Sequence, residues 1–241
     1  MEWRDQGIII GIKRYGESSA IVEMMTRDHG RHMGIVKGGR SPRMQTVLQP
    51  GNSADCVWRA RLEEHLGTYA IEVTRARAGD IMGTPLALHG VNMLGALLRL
   101  LPERDPHQAL YETLDVLIDH LGEAEIAPAL LVRFELAILA ELGFGLDLSC
   151  CAATGQTNDL VYVSPKSGRA VSRAAGEPWR DRLLALPDFI AGHAVANTPA
   201  VADILNGFAL TGYFLARDVL GPRGLSPPES RNAYMALIAR N

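Results

Sequence analysis

The first 80 residues alternate between apolar and polar positions over short runs. Residues 7–15 are rich in isoleucine, and residues 19–26 carry Ile21, Val22, Met24 and Met25. The intervening Gly16-Glu17-Ser18 is a turn sequence, so the two runs read as paired strands. Asp28-His29-Gly30-Arg31 makes the next turn and residues 32–37 the next strand, before Gly38-Gly39-Arg40-Ser41-Pro42 breaks the pattern. Residues 53–61 place Ala54, Cys56 and Trp58 on one face, and residues 68–77 place Tyr69, Ile71 and Val73 opposite Ala70, Glu72 and Thr74. Five strands in so short a span predict a small closed barrel, which leaves no sheet edge exposed.

From about residue 80 the period lengthens. Leu94, Leu97, Leu98 and Leu101 fall at helical spacing, as do Leu110, Leu114, Leu117, Ile118 and Leu121. Leu131, Phe134, Ile138 and Leu142 stripe a third helix, and residues 201–219 and 231–239 predict two more. Residues 159–171, with Ser164-Pro165-Lys166-Ser167-Gly168 at their centre, predict a small β-hairpin inside this helical half. The expected class is therefore α+β, with a barrel at 1–79 and a mostly α-helical domain at 80–241 that contains a hairpin region at about 147–176.

Composition narrows the chemistry. The chain has 241 residues, 47% hydrophobic and 21% charged, with a net charge of −3. That usage is globular, and it rules out a uniformly basic surface. Charge is nevertheless uneven. Residues 1–80 hold twelve Lys and Arg against ten Asp and Glu, leaving the remainder at −5. Within 27–43, Arg27, Arg31, Lys37, Arg40 and Arg43 face Asp28 alone. Such a stretch either neutralises phosphates or forms a solvated loop. Small five-stranded barrels often carry single-stranded nucleic acid, which favours the phosphate reading. Aromatic platforms are scarce: Trp3, Tyr15, Trp58 and Tyr69 are the barrel's candidates, each equally suited to the core.

Enzymatic signatures fail. Gly90 and Gly95 have the spacing of a phosphate loop, but Ala96 stands where its lysine is required. Cys151 with His193 is the one nucleophile–base pair worth naming, and cysteine–histidine co-occurrence is common. Three cysteines make no secreted disulfide framework, and no apolar run reaches the length of a membrane span, so a reducing, cytoplasmic setting is expected. Arg133 lies in an apolar helix with Ala129, Leu130, Leu136 and Ala137 as its i±4 and i±3 neighbours. It needs either a tertiary partner or an external anion at the rim of an apolar groove. Glu135 poses the same question.

Several ordered blocks resemble the bacterial RecO recombination-mediator family. They are Gly16-Glu17-Ser18-Ser19-Ala20-Ile21-Val22, Thr26-Arg27-Asp28-His29-Gly30-Arg31, Val36-Lys37-Gly38-Gly39-Arg40, Leu48-Gln49-Pro50 and Leu66-Gly67-Thr68. Arg133-Phe134-Glu135-Leu136, residues 142–148 and Tyr162-Val163-Ser164-Pro165-Lys166-Ser167-Gly168 continue the match in order. The resemblance implies an OB barrel followed by a helical domain, and a non-enzymatic DNA repair protein without a cofactor. It implies binding to single- and double-stranded DNA, annealing of complementary strands, and work with RecR and RecF to load RecA at gaps in a nucleoid-associated setting. It places the basic stretch on the DNA-binding surface and Arg133 against the acidic C-terminal tail of single-stranded DNA-binding protein. Some relatives carry zinc on two Cys-x-x-Cys pairs; the corresponding positions here are Cys151 and Thr154, then Ser172 and Ala175, so no metal is expected. An RNA-binding OB module on a helical scaffold is the competing expectation.

Overall fold

A computed structural model describes residues 1–191 and 198–240. It divides into two compact units, Met1–Gly122 and Glu123–Asn241.

The first unit is built on β1 (Glu2–Tyr15), β2 (Ser19–Thr26), β3 (Gly30–Val36), β4 (Ser53–Arg59) and β5 (Thr68–Arg75). They close a barrel in the order β1-β2-β3-β5-β4, an OB-like arrangement. Strand β1 begins before the isoleucine run and is 14 residues long because it serves two partners. Its first half pairs with β4 and its second with β2, the register shifting between Ile9 and Gly11. The barrel is filled by Ile9, Val22, Met24, Ala54, Cys56, Trp58 and Tyr69; Ala54, Cys56 and Trp58 are the face that alternation predicted on β4, and of the β5 face Tyr69 is buried while Ile71 and Val73 are partly buried. Between β3 and β4 lies α1 (Pro42–Val47), which the hydrophobic pattern does not announce, since none of its six residues is buried. Ser41 accepts from the Met44 amide, Pro42 opens the helix, and Leu48 at its end drops fully buried into the barrel core.

Helices α2 (Ala78–Met82), α3 (Pro85–Leu98) and α4 (Gln108–Asp119) belong to the same unit as the barrel. Buried Arg77 joins them. It donates to Asp119 at 2.6 Å and Asp115 at 2.7 Å on α4, while its backbone amide donates to the Asn52 side chain at 2.8 Å. The β2–β3 turn is close-packed too. Gly30 has φ +65°, and a Cβ there would stand 1.9 Å from the Asp105 carbonyl oxygen.

In the second unit α5 (Ala127–Glu141) buries Leu131, Val132, Phe134, Ile138 and Leu139. The hairpin of β6 (Leu160–Val163) and β7 (Ala170–Ser172) gains a third strand, β8 (Leu184–Ala185), in the order β7-β6-β8. The short α6 (Arg173–Gly176) and a 3-10 turn lie between β7 and β8. Helix α7 (Val201–Phe214) runs on into a π turn at Leu215–Leu220, and α8 (Glu229–Ile238) closes the unit. No helix among the described residues is long and apolar enough to cross a membrane.

Candidate nucleic-acid interface

The five cations of the 27–43 stretch do not form one cluster. Strands β2 and β3 pair antiparallel from Ala20↔Val36 to Thr26↔Gly30, so the residues flanking them fall at opposite barrel ends. Arg27 and Arg31 lie near one end; Lys37, Arg40 and Arg43 follow the other. Six residue steps separate those two pairs, roughly 20 Å at strand spacing.

Arg31 is withdrawn from solvent. Its side chain is 11% exposed and donates to Glu23 at 2.8 Å, Glu103 at 3.4 Å and the Leu101 carbonyl at 3.2 Å. Arg99 donates to the other Glu23 oxygen at 2.8 Å, completing a network that joins β2, β3 and the end of α3. This disposition corrects the expectation that Arg31 contacts DNA: its cation is neutralised internally by acids 8 and 72 positions away, which a local charge count cannot detect. Arg27 is half-exposed and meets Glu112 at 3.4 Å. It lines a broad groove with Arg4 and Gln6, but Asp5, Asp28, Asp55 and Glu72 line it as well. Four carboxylates against two guanidiniums make that groove a poor match for a polyanion.

The opposite end is different. Gly39 sits so close to β2 that a Cβ would lie 2.9 Å from the Ala20 Cβ, and this brings the β3–α1 loop against the β1–β2 turn. Arg40 fastens them together. Its amide donates to the Ser18 carbonyl at 3.0 Å, and its guanidinium donates to the Gly16 and Glu17 carbonyls at 2.9 and 2.6 Å. Lys37 and Arg43 are exposed beside it, and β1 delivers exposed Lys13 and Arg14 to the same tip. Arg14 shares a cavity wall with Arg40, whereas Lys13 alternates to the other face of its strand. Glu17 is the only acid in residues 12–20 and 36–49. Arg14 was visible in the sequence as a charge, but only the strand pairing, Arg14↔Ala20 and Ala20↔Val36, places it beside residues 37–43.

The barrel aromatics are mostly structural. Trp58 and Tyr69 are 1% and 5% exposed. Trp3 stacks on His29 with centroids 4.0 Å apart and on Trp58 at 5.6 Å, while His32 meets Trp58 edge-on at 4.9 Å. Burial in this aromatic box, assisted by Arg104, pushes the His32 imidazole down to about 4. Tyr15 alone of the candidates stands substantially exposed, at 48%, next to the basic tip.

In the second unit, Arg133 is exposed and donates one bond to the Phe189 carbonyl at 2.7 Å. No carboxylate pairs with it among the described residues, and half-buried Ala129, Leu130, Leu136 and Ala137 surround it on α5. Glu135 has the opposite fate. It is fully buried and accepts from Arg231 at 2.6 and 3.1 Å and from the Thr211 hydroxyl, while Arg231 also donates to the Phe208 carbonyl at 2.6 Å. The four positions where some relatives hold zinc present one thiol: Cys151 accepts from the Ser172 amide at 3.3 Å and hydroxyl at 3.4 Å, and Ala175 offers no donor atom. That set does not fit a four-ligand structural zinc. His193, the proposed base for Cys151, lies outside the described residues.

Comparison with known proteins bears on the whole chain. Residues 1–77 match the family model for the recombination protein O N terminal region, and residues 84–226 match that for its C terminal region. The chain is 60% identical over 240 residues to the DNA repair protein RecO of Methylobacterium nodulans, covering 98% of each. It is 61% identical to that of Methylocella silvestris, covering all of this chain and 97% of the relative, and 56% identical to that of Afipia carboxidovorans. Matches of this extent, over a barrel and a helical region that each have their own family model, establish that the chain belongs to the RecO family of DNA repair and recombination proteins.

Proposed function

We propose that the protein is a non-enzymatic mediator of recombinational repair that holds polynucleotide backbones on the basic tip of its barrel. The observation that carries the reading is that strand pairing and the Arg40 bonds bring Arg14 to the barrel end that Lys37, Arg40 and Arg43 follow, with Glu17 the only acid in the two segments that form it. Cations on a fixed surface neutralise phosphates and release counterions without regard to sequence. A surface that does this for two strands at once lowers their mutual repulsion and lets complementary bases find each other. Annealing by this route breaks no covalent bond. The phosphate contacts by themselves are open to single- and double-stranded DNA, because both present the same phosphates.

The helical unit then serves partners. Arg133 keeps donors free of carboxylate and is framed by half-buried apolar side chains, a setting suited to an acidic peptide with an apolar end. This is the proposed contact for the acidic tail of single-stranded DNA-binding protein. With RecR and RecF, the assembly would help RecA load at protein-coated gaps.

The test is strand annealing of labelled complementary oligonucleotides by the wild type and a Lys37→Ala/Arg43→Ala variant. The variant should anneal more slowly at equal protein concentration while unfolding at the wild-type temperature. Equal annealing rates would place the strand contact elsewhere. Competition with RNA of the same length separates the DNA reading from an RNA-binding one, since the barrel itself suits both.

A further inference from the structure

The barrel tip also holds a cavity that phosphate neutralisation does not require. About 330 Å³ is bounded by Ile12 and Arg14 of β1, Arg40 of the loop, Gln45 of α1, and Leu48 and Gln49 just after it. That volume is at the small end of the range for small-molecule sites, about 300–1,000 Å³. Its accessible apolar surface is Ile12, 43% exposed, above a floor closed by buried Leu48 and Ala20. Two amides on its wall are pinned. The Gln45 Nε2 donates to the Arg40 carbonyl at 2.9 Å and the Gln49 Nε2 to the Gln45 carbonyl at 2.6 Å, leaving their oxygens as acceptors. Arg40 is held at the rim by the Gly16 and Glu17 carbonyls, with Arg14 on the same cavity.

An inorganic phosphate needs the guanidiniums and has no use for an apolar surface. A duplex presents phosphates while its bases stay stacked inside. A single strand offers both a phosphate and a flat, largely apolar ring with polar edges. We infer that this pocket receives one unstacked nucleobase of a single strand whose flanking phosphate lies on Arg14 and Arg40. The tip is then selective for single-stranded over duplex nucleic acid at the level of one nucleotide. This rests on the reading of the tip as a nucleic-acid interface and adds a base subsite to it.

The experiment compares an oligothymidylate of ~12 nucleotides with an all-abasic strand of equal length, using the full chain and anisotropy at matched salt. The base-bearing strand should bind about tenfold more tightly. Ile12→Ala and Gln49→Ala, neither at a core position, should bring that ratio toward one and leave the salt dependence unchanged. Equal binding of the two strands by wild type overturns the subsite but spares the phosphate reading, provided Lys37→Ala/Arg43→Ala still flattens the salt slope. A base preference that survives both pocket variants also overturns it, since the base then sits elsewhere. Thymidine monophosphate competing as well as the oligonucleotide overturns it in favour of a mononucleotide site. A slope unaffected by Lys37→Ala/Arg43→Ala refutes the interface and the subsite together.

Discussion

Arg31→Ala separates a cation that holds the fold from cations that hold phosphate. Arg31 and Glu23 are each 11% exposed at the side chain and 2.8 Å apart, so the substitution leaves a carboxylate in a poorly hydrated place. Breaking a buried pair by removing one partner costs about 3–5 kcal/mol. Arg99 still donates to Glu23 at 2.8 Å, which moves the expected cost to the lower end, about 3 kcal/mol. At about 2–4 °C per kcal/mol for a chain of this size, the unfolding midpoint should fall by roughly 6–12 °C. Scanning calorimetry reads the shift, and single-strand binding well below that midpoint reads the other half of the claim. The salt dependence of binding should match wild type, because Arg31 releases no counterion. An unchanged midpoint together with a shallower salt slope would refute the reasoning and return Arg31 to the DNA surface.

Arg133→Ala should leave thermal unfolding within about 1 kcal/mol of wild type, since it removes one bond to the Phe189 carbonyl, yet weaken binding of an acidic C-terminal peptide by calorimetry. Glu135→Ala should lower stability by about 3–5 kcal/mol in urea unfolding, because Arg231 is then buried without its counter-ion. His32 titrates at about 4 when folded, below the ordinary 6.5, so the folded state favours the neutral ring. Its contribution is present above the unfolded value and is lost as pH falls from 6.5 through 4, up to about 3 kcal/mol over that window. Urea midpoints measured across it should show this loss in wild type and a smaller one in His32→Phe.

The strands were legible because barrel closure imposes a two-residue period, and Ala54, Cys56 and Trp58 display it without interruption. Helix α1 was not, because none of its six residues is fully buried: Met44 and Val47 only half-bury against the barrel core, and the fully buried Leu48 lies just past its end. Two-residue β8 is too short to show any period. The site was half legible. Lys37, Arg40 and Arg43 are neighbours along the β3–α1 loop and the first turn of α1, whereas Arg14 joins them through the β1–β2 turn that Arg40 fastens. Arg31 misled because sequence adjacency to other cations says nothing of Glu23 and Glu103. Glu135 and Arg133 looked alike two residues apart. The first is satisfied by Arg231, 96 positions away, and the second is left facing outward.

The central claim is that the basic tip holds the phosphate backbone, and the salt dependence of single-strand affinity tests it most directly. Each phosphate contact contributes about 0.7 to the slope of log K against log salt for a single strand. Lys37→Ala/Arg43→Ala should therefore lower the slope by about 1.4, with unfolding unchanged. A slope identical to wild type, in a double variant that unfolds at the wild-type temperature, would contradict it.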